Sequence, residues 1–435
     1  MHVELTENDA GVLLSLTEHE AGRLRLASAR WKKALRLPGM PLSVEQHEPG
    51  RFLVYASGVA GFVKIGNLSI DIAPKFLDRV SAGDDWRTAM WRFLAYGEGQ
   101  ELLNEHAVGS VTKGMGIADV LADSFFRSAS LGHVMGYPMG YRQKHEQSDF
   151  MKGKLDNSQL KRLVPFIGSI PVVSSRLSRD VALNRLMKWA ALKLASLVEK
   201  PSRRKRLMGW ASDLAEVSSL PPDPTLVTNY KQQYPHLVPA IDIALILQAD
   251  LLGTYEVDST PVPGFLWNSD DLFERAMRRL VADAARPLGL EVKKGRHPLL
   301  RKFSAYGAKY SSTYPDIDIF DSGGSRLILD AKYKVFSDYP SSDDTYQVMA
   351  AGRVACVSDV ALVYPTSSMG LATTVFEPFG LGLPRRVTVM QIGLESFKDR
   401  GSVRRIQEEI QAWLTGSLRL SRTTALGIDG SSTTT

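Results

Sequence analysis

The segment from Tyr314 to Phe336, YPDIDIFDSGGSRLILDAKYKVF, constrains the fold more than any other part of the chain. Apolar residues alternate with aspartates in DIDIF, the pattern of a half-buried strand, and run unbroken through LIL, the pattern of a buried one. Pro315 ends pairing on one side. Between the two runs lies DSGGS, where Gly323 and Gly324 can take the positive φ of a tight turn. The segment therefore reads as a β-hairpin. Its returning strand places Asp330 and Lys332 just after an apolar run, two residues apart and so on one face. A carboxylate and an ammonium on one face of a buried strand are costly without a task.

Phosphodiester cleavage is a task that fits. It needs a divalent cation to polarise the phosphate and make hydroxide available near neutral pH. Mg2+ takes oxygen ligands and keeps several waters, so a few carboxylates suffice. Asp316, at the start of the outgoing strand, and Asp330 are the expected metal ligands. Lys332 would orient the attacking water and offset charge on phosphorus. The expected cofactor is Mg2+, with Mn2+ able to substitute. Glu291 and Lys293 form a second acidic-x-Lys, but no Pro-Asp hairpin precedes it and it reads as an exposed edge strand.

Glu274 lies on the helix DDLFERAMRRLVADAA and is a candidate fourth catalytic residue and third metal ligand. The competing reading is a surface pair with Arg278, four residues on. Gln347, on the helix SDDTYQVMAAGRVA, would touch the metal site or a DNA phosphate, or else be a capping or surface glutamine. Lys293, Lys294, Arg296, Arg301 and Lys302 precede the hairpin and are candidate phosphate-positioning residues, expected to govern affinity without sequence preference. The run Arg203 to Arg206 could grip phosphates, although such runs are more often solvated helix ends. Tyr141, Arg142, Lys144 and His145 read as a structural or partner-contacting cluster. Cys356, between apolar residues, reads as core. No histidine spacing suggests zinc.

A chain of 435 residues exceeds one ordinary core. We expect a β-rich and helical N-terminal region over 1–130, a mainly helical middle region over 131–258, a catalytic domain over 259–421 and a disordered tail over 422–435. The segment STPVPGFLW is the expected linker. Beyond it, helices alternate with strands in the manner of an α/β domain with a central mixed sheet flanked by helices, α+β over the chain as a whole. The composition, 44% hydrophobic and 23% charged, is that of a soluble globular protein. No apolar run is long enough to span a membrane. The acidic, polar start is no secretory signal, and a lone cysteine excludes a disulfide framework. A cytoplasmic setting is expected. A net charge of +6 is compatible with a polyanionic partner.

These residues resemble the McrC family, the nuclease subunits of McrBC modification-dependent restriction systems. The resemblance rests on YPDIDIF, LILDAKYK and DDTYQVMAAGRVA. It extends to LFERAMRRL, where Glu274 matches the helix glutamate, and more weakly to GYRQKHEQSDFMKGKLD, RDVALNRLMKWAALKL and VAGFVKIGNLSIDIAPKF. It implies a PD-(D/E)xK restriction-endonuclease-like domain and DNA as substrate. It further implies a McrB-like hexameric AAA+ GTPase partner, stimulated by this chain and engaged through the N-terminal region. Related nucleases often carry a tyrosine four residues after the helix glutamine, where this chain has Ala351. The chain has no GxxxxGK[ST] phosphate loop of its own, consistent with a separate motor. The alternative is a non-cleaving adaptor of an AAA+ NTPase whose nuclease-like domain is structural.

Overall fold

The fold comes from a computed structural model that describes residues 2–66, 68–77, 86–99, 116–156, 169–248, 255–257, 260–262, 264–304, 307–379, 382 and 384–426. Two units emerge. One joins residues 1–117 to 252–435, and the other is 118–251.

The first unit opens with strands β1 (His2–Thr6) and β2 (Val12–Ser15) and helix α1 (Glu18–Ala34). Thr17 and Glu20 close a reciprocal capping box at the start of α1. Ala21, Leu24, Ala27, Ser28 and Trp31 recur at helical spacing and are buried. Four strands follow: β3 (Leu42–Glu48), β4 (Arg51–Ala56), β5 (Val59–Ile65) and β6 (Leu68–Ala73). The period-two alternation in RFLVYASGVAGFVKIGNLSIDIA predicts β4 to β6, and Gly58 and Gly66 turn them with positive φ. Helix α2 (Trp86–Gly97) completes this stretch.

Helix α3 (Ile117–Met135) leads into the second unit, which holds strands β7 (Gly140–Ser148), β8 (Lys154–Leu155) and β9 (Ile170–Ser178) in the order β7-β9-β8. Helices α4 (Ala182–Leu197), α5 (Pro201–Ser212) and α6 (Val238–Gln248) supply its apolar packing. The basic run lies in the first turns of α5, a helix end as expected, with Arg204, Lys205 and Arg206 exposed. Arg203 pairs with Asp119 at 3.1 Å and Asp123 at 2.7 Å, and Arg206 also pairs with Asp123. The Arg204 Nε donates to the Ala195 carbonyl at 3.0 Å. Those guanidiniums hold the unit together.

Back in the first unit, the chain forms the short strands β10 (Tyr255–Val257) and β11 (Thr260–Val262) and then β12 (Gly264–Asn268). The expected linker is therefore a strand. It pairs antiparallel with β5, completing the sheet β1-β6-β5-β12. Gly61, at φ +134°, makes this possible, since a Cβ there would sit 1.8 Å from the Phe265 carbonyl oxygen. Helix α7 (Ser269–Ala285) follows at once. Asn268 caps it by accepting from the amides of Asp270 and Asp271, and Leu272, Phe273, Ala276, Met277 and Leu280 are buried.

The remaining strands are β13 (Glu291–Lys293), β14 (His297–Ser304), β15 (Gly307–Thr313), β16 (Ile317–Asp321), β17 (Gly324–Ala331), β18 (Asp359–Thr366), β19 (Leu371–Phe376) and β20 (Arg386–Gly393). Helix α8 (Ser342–Val354) connects β17 to β18, and helix α9 (Arg400–Leu426) ends the described chain. Six of these strands form one mixed sheet, β13-β16-β17-β18-β20-β19, with β17, β18 and β20 parallel. A parallel step requires a crossover, which α8 provides between β17 and β18. Strands β14 and β15 stand apart as a two-stranded ribbon. Two expectations change here. Cys356 is exposed at φ +56°, because it closes the C-terminal turn of α8, where the Val357 amide donates to the Gly352 carbonyl at 3.0 Å. The expected tail is helical to Leu426, while 427–435 lie outside the described residues. Among the described residues no helix is long and apolar enough to cross a membrane.

Candidate functional site

The hairpin β16–β17 builds the centre of the site. Its register pairs Ile317 with Leu329, both fully buried. A one-residue slip would expose that apolar face, so the register is strongly specified. Of the two turn glycines only Gly324 takes positive φ, and the Gly323 amide donates to Asp321 Oδ1 at 2.7 Å. At the open end the backbones hold each other's carboxylates. The Asp316 amide donates to Asp330 Oδ1 at 3.3 Å, and the Ala331 amide donates to Asp316 Oδ2 at 3.0 Å.

Beyond β17 the ladder continues for one residue, as the Lys332 amide donates to the Val363 carbonyl at 2.8 Å. The Lys332 ammonium leaves the sheet beside Asp330, 2.6 Å from Oδ2, and donates to Gln347 Oε1 at 2.8 Å. Gln347 thus touches the site through the lysine, from α8. Asp330 is only 2% exposed, and its Oδ2 has no aligned hydrogen-bond donor even though the ammonium lies within ion-pair reach. An ion pair tolerates such poor alignment.

Glu274 forms the expected helix-surface pair and one further ion pair. It pairs with Arg278 on its own helix and accepts from Lys294 Nζ at 2.8 Å. It also lies close enough to Asp316 to act on its ionisation. Burial, then Asp330, then Glu274 push the Asp316 carboxyl up to about 8, against the opposing pull of the Ala331 amide. Arg278 ties the two elements together by donating from Nε to the Asp316 carbonyl at 2.8 Å. Lys294 Nζ lies 3.9 Å from Asp316 Oδ1. Proton uptake by this pair of carboxylates is therefore favoured unless a cation compensates it.

Among the described residues, the one His and carboxylate group whose ligand atoms all lie within 4.8 Å of one another is elsewhere: His2, Glu4 and Asp71. Arg87, itself buried, supplies that cluster's cation, with Nε 3.0 Å from Asp71 Oδ2 and a further bond to Glu4. Asp71 also accepts from the Ile117 amide at 3.2 Å, and burial pushes its carboxyl up to about 6. The group reads as a structural junction. Glu274, Asp316 and Asp330 do not form such a group, and Glu274 is paired with Arg278 and Lys294.

The basic candidates divide. Lys294 belongs to the site. Lys293 lies over the Phe320 ring at 3.8 Å on edge strand β13, where Glu291 is exposed as expected. Arg296 sits over Tyr314 at 6.0 Å. Arg301 and Lys302 lie on the ribbon, where Arg301 faces Tyr310 and Lys302 is directly opposite Lys309. In the second unit, Arg142 pairs with Asp180, His145 lies 2.5 Å from Asp156 and Lys144 lies 3.3 Å from Glu146, while Tyr141 is exposed. That cluster is structural except at its aromatic edge.

Several neighbours escape sequence reasoning. His297 Nε2 lies 3.1 Å from the buried Asp318, which also accepts from Ser325 Oγ at 3.2 Å. Lys334 pairs with Asp344 at 2.6 Å, and the Tyr364 hydroxyl donates to Asp344 at 2.8 Å. Only the alternation of DIDIF hinted at Asp318. Nothing in the spacing linked Lys334 to α8.

The family profile described as McrBC 5-methylcytosine restriction system component matches residues 54–365, a span that includes this whole cluster. Among solved structures, a chain from the tetradecameric assembly of Thermococcus gammatolerans McrB AAA+ hexamers with bound McrC matches at 17% identity and TM-score 0.62. That match covers 96% of this chain and 100% of the other. A chain of the Thermococcus gammatolerans McrBC complex, seen by cryo-EM, matches at 16% identity and TM-score 0.46, covering 65% of this chain and 88% of the other. Among curated proteins there is no sequence match.

Proposed function

The chain belongs to the McrBC family, and on that premise we propose that it is the DNA-cutting subunit of an McrBC-type restriction system, hydrolysing phosphodiesters with Mg2+ in defence against foreign DNA. The observation that carries this reading is the meeting of Asp316, Asp330 and Lys332 at one hairpin end, with Glu274 from α7 and Gln347 from α8 beside them. The reading assigns the domain spanning 259–421 to the PD-(D/E)xK type. It gives the chain a McrB-like AAA+ GTPase partner, engaged through the N-terminal region, and a cytoplasmic place of action.

The residues suit the metal. Asp330 Oδ2 is buried without an aligned donor, and Asp316 is pushed upward by burial and then by its carboxylate neighbours, an arrangement that a divalent cation relieves. Asp316, Asp330 and Glu274 would hold it. When bound, Mg2+ supplies a polarised phosphate and a more acidic water.

The remaining work falls to the chain's own groups. Lys332, held by Asp330 and Gln347, keeps its ammonium where an attacking water and a phosphate oxygen would meet. Arg278 fixes the backbone of Asp316, so the hairpin end cannot splay. Lys294 offsets negative charge between Glu274 and Asp316 and would move toward a phosphate. Ribbon β14–β15 would grip the duplex. From Val292 to Pro315 there is no acidic residue and there are six Lys or Arg. Lys302 stands directly across from Lys309 on this ribbon, and like charges directly opposite are unfavourable until an anion offsets them. Tyr310 and Leu300 are exposed on the same ribbon.

A second reading, the non-cleaving adaptor, draws on the two cations that hold Glu274. Cleavage of plasmid DNA by the chain with its AAA+ partner and nucleotide, run with Mg2+ and with EDTA, separates the two. Nicking or linearisation only with Mg2+ supports the nuclease. Nucleotide hydrolysis without cleavage supports the adaptor.

A further inference from the structure

Lys332 lies past the end of β17, where the chain leaves the sheet through a tight turn closed by the Lys334 amide donating to the Lys332 carbonyl at 2.8 Å. Such a residue is held on one side only unless something grips the turn. The grip comes from the N-terminal sheet. Tyr333, next to the lysine, is buried with its hydroxyl donating to Glu7 Oε2 at 2.9 Å. Its carbonyl accepts from Lys75 Nζ at 2.9 Å, and the same ammonium lies 4.5 Å from the centre of its ring. Phe76 meets the ring edge-on at 5.1 Å, and Phe273 lies at 5.7 Å. Glu7 and Lys75 are joined in turn, the Lys75 amide donating to Glu7 Oε2 at 3.4 Å.

The chemistry of this clamp is expensive for mere adhesion. Glu7 is 1% exposed, and one of its oxygens has no hydrogen-bond partner. Replacing such buried charges with apolar residues of similar volume is often neutral or stabilising. The phenylalanines already present show that an apolar contact was available here. What an apolar contact cannot do is orient a peptide group. A carbonyl gripped by an ammonium and a hydroxyl gripped by a carboxylate fix Tyr333 at two points, and the direction in which Lys332 departs is thereby set.

We propose that Glu7 and Lys75 are positioning residues for Lys332, acting through Tyr333. The lysine's place at the hairpin end is then set by residues more than 250 positions away in sequence, just past the ends of β6 and β1. This inference rests on the nuclease reading, because a position for Lys332 matters only if Lys332 works.

The test uses the full chain with its AAA+ partner, in single-turnover cleavage of a DNA substrate of the system. Three variants are compared with wild type: Tyr333→Phe, which removes only the hydroxyl; Lys75→Met/Glu7→Gln, which removes both charges together; and Lys75→Arg, which keeps a donor for the carbonyl. The 13C NMR signal of the Lys332 side chain, assigned with Lys332→Arg, gives a readout independent of cleavage. The expected result is a loss of about 10- to 100-fold in the cleavage step for the first two variants, the size of effect that an ångström of misplacement produces. DNA affinity and melting temperature should stay near wild type, the Lys332 signal should move, and Lys75→Arg should recover part of the rate. Wild-type cleavage with an unmoved Lys332 signal in Tyr333→Phe and the double variant overturns the proposal. If the double variant does not fold, Tyr333→Phe decides the matter alone. If Asp330→Asn also cuts normally, the nuclease reading itself has failed, and that outcome is distinct from failure of the clamp.

Discussion

Asp316 and Asp330 hold each other across the open end of one hairpin, each carboxylate accepting from the opposite strand's backbone. This reciprocity brings two acids together in a half-buried place and makes the pair depend on a cation. The pair also sets the sign of a pH effect. Asp316 has its folded pKa raised to about 8, so between about pH 4 and pH 8 the native state keeps a proton that the unfolded chain has released. Stability from this group is therefore lost as pH rises through that window. Without divalent metal, Asp316→Asn should raise the melting temperature at pH 8 by roughly 2–5 °C and leave it unchanged near pH 4. Thermal melts at the two pH values check this, and equal shifts at both would contradict it.

Metal binding should compete with that proton. Isothermal titration of the full chain with Mn2+ at pH 7 should show binding with proton release. Asp330→Asn should abolish it, and Glu274→Gln should weaken it about 10-fold. Undiminished binding by Asp330→Asn would place the metal elsewhere.

The ribbon should act on affinity alone. Lys302→Ser/Lys309→Ser should weaken duplex DNA binding without altering sequence preference, and should lower the slope of log K against log salt by about 2. Fluorescence anisotropy across a salt series measures both. An unchanged slope would remove the ribbon from the DNA path.

The joint between the first and last parts of the chain should be brittle. Gly61→Ala forces a methyl onto the Phe265 carbonyl and needs an unfavourable φ, so it should cost about 3 kcal/mol or more. Denaturant melts report it, and a neutral Gly61→Ala would mean that β5 and β12 can separate freely.

The parts of this architecture that were legible from sequence are the local ones. The hairpin was readable because its alternation, its turn glycines and its misplaced charges lie within 23 consecutive residues, Tyr314 to Phe336. Helix α7 and the pairing of Glu274 with Arg278 four residues on were readable too, since both are local. Contacts that span the chain were not readable. STPVPGFLW looks like a linker because its prolines and glycine break helix, yet Phe265 to Trp267 complete a sheet that begins at His2. Cys356 sits among apolar letters, but the turn that ends α8 points it outward. Arg203 reads as a free cation until Asp119 and Asp123 arrive beside it. The Glu7 and Lys75 grip on Tyr333 has no local signal at all.

The central claim is that Asp316, Asp330 and Lys332 cut DNA, and one measurement tests it most directly. The full chain is combined with its AAA+ partner, nucleotide, Mg2+ and substrate DNA, and cleavage by wild type is compared with Asp330→Asn and Lys332→Ala. Partner nucleotide hydrolysis is followed in the same reactions. The account predicts cleavage reduced by roughly 1,000-fold or more in both variants, with hydrolysis still stimulated. Cleavage by either variant at the wild-type rate would contradict it.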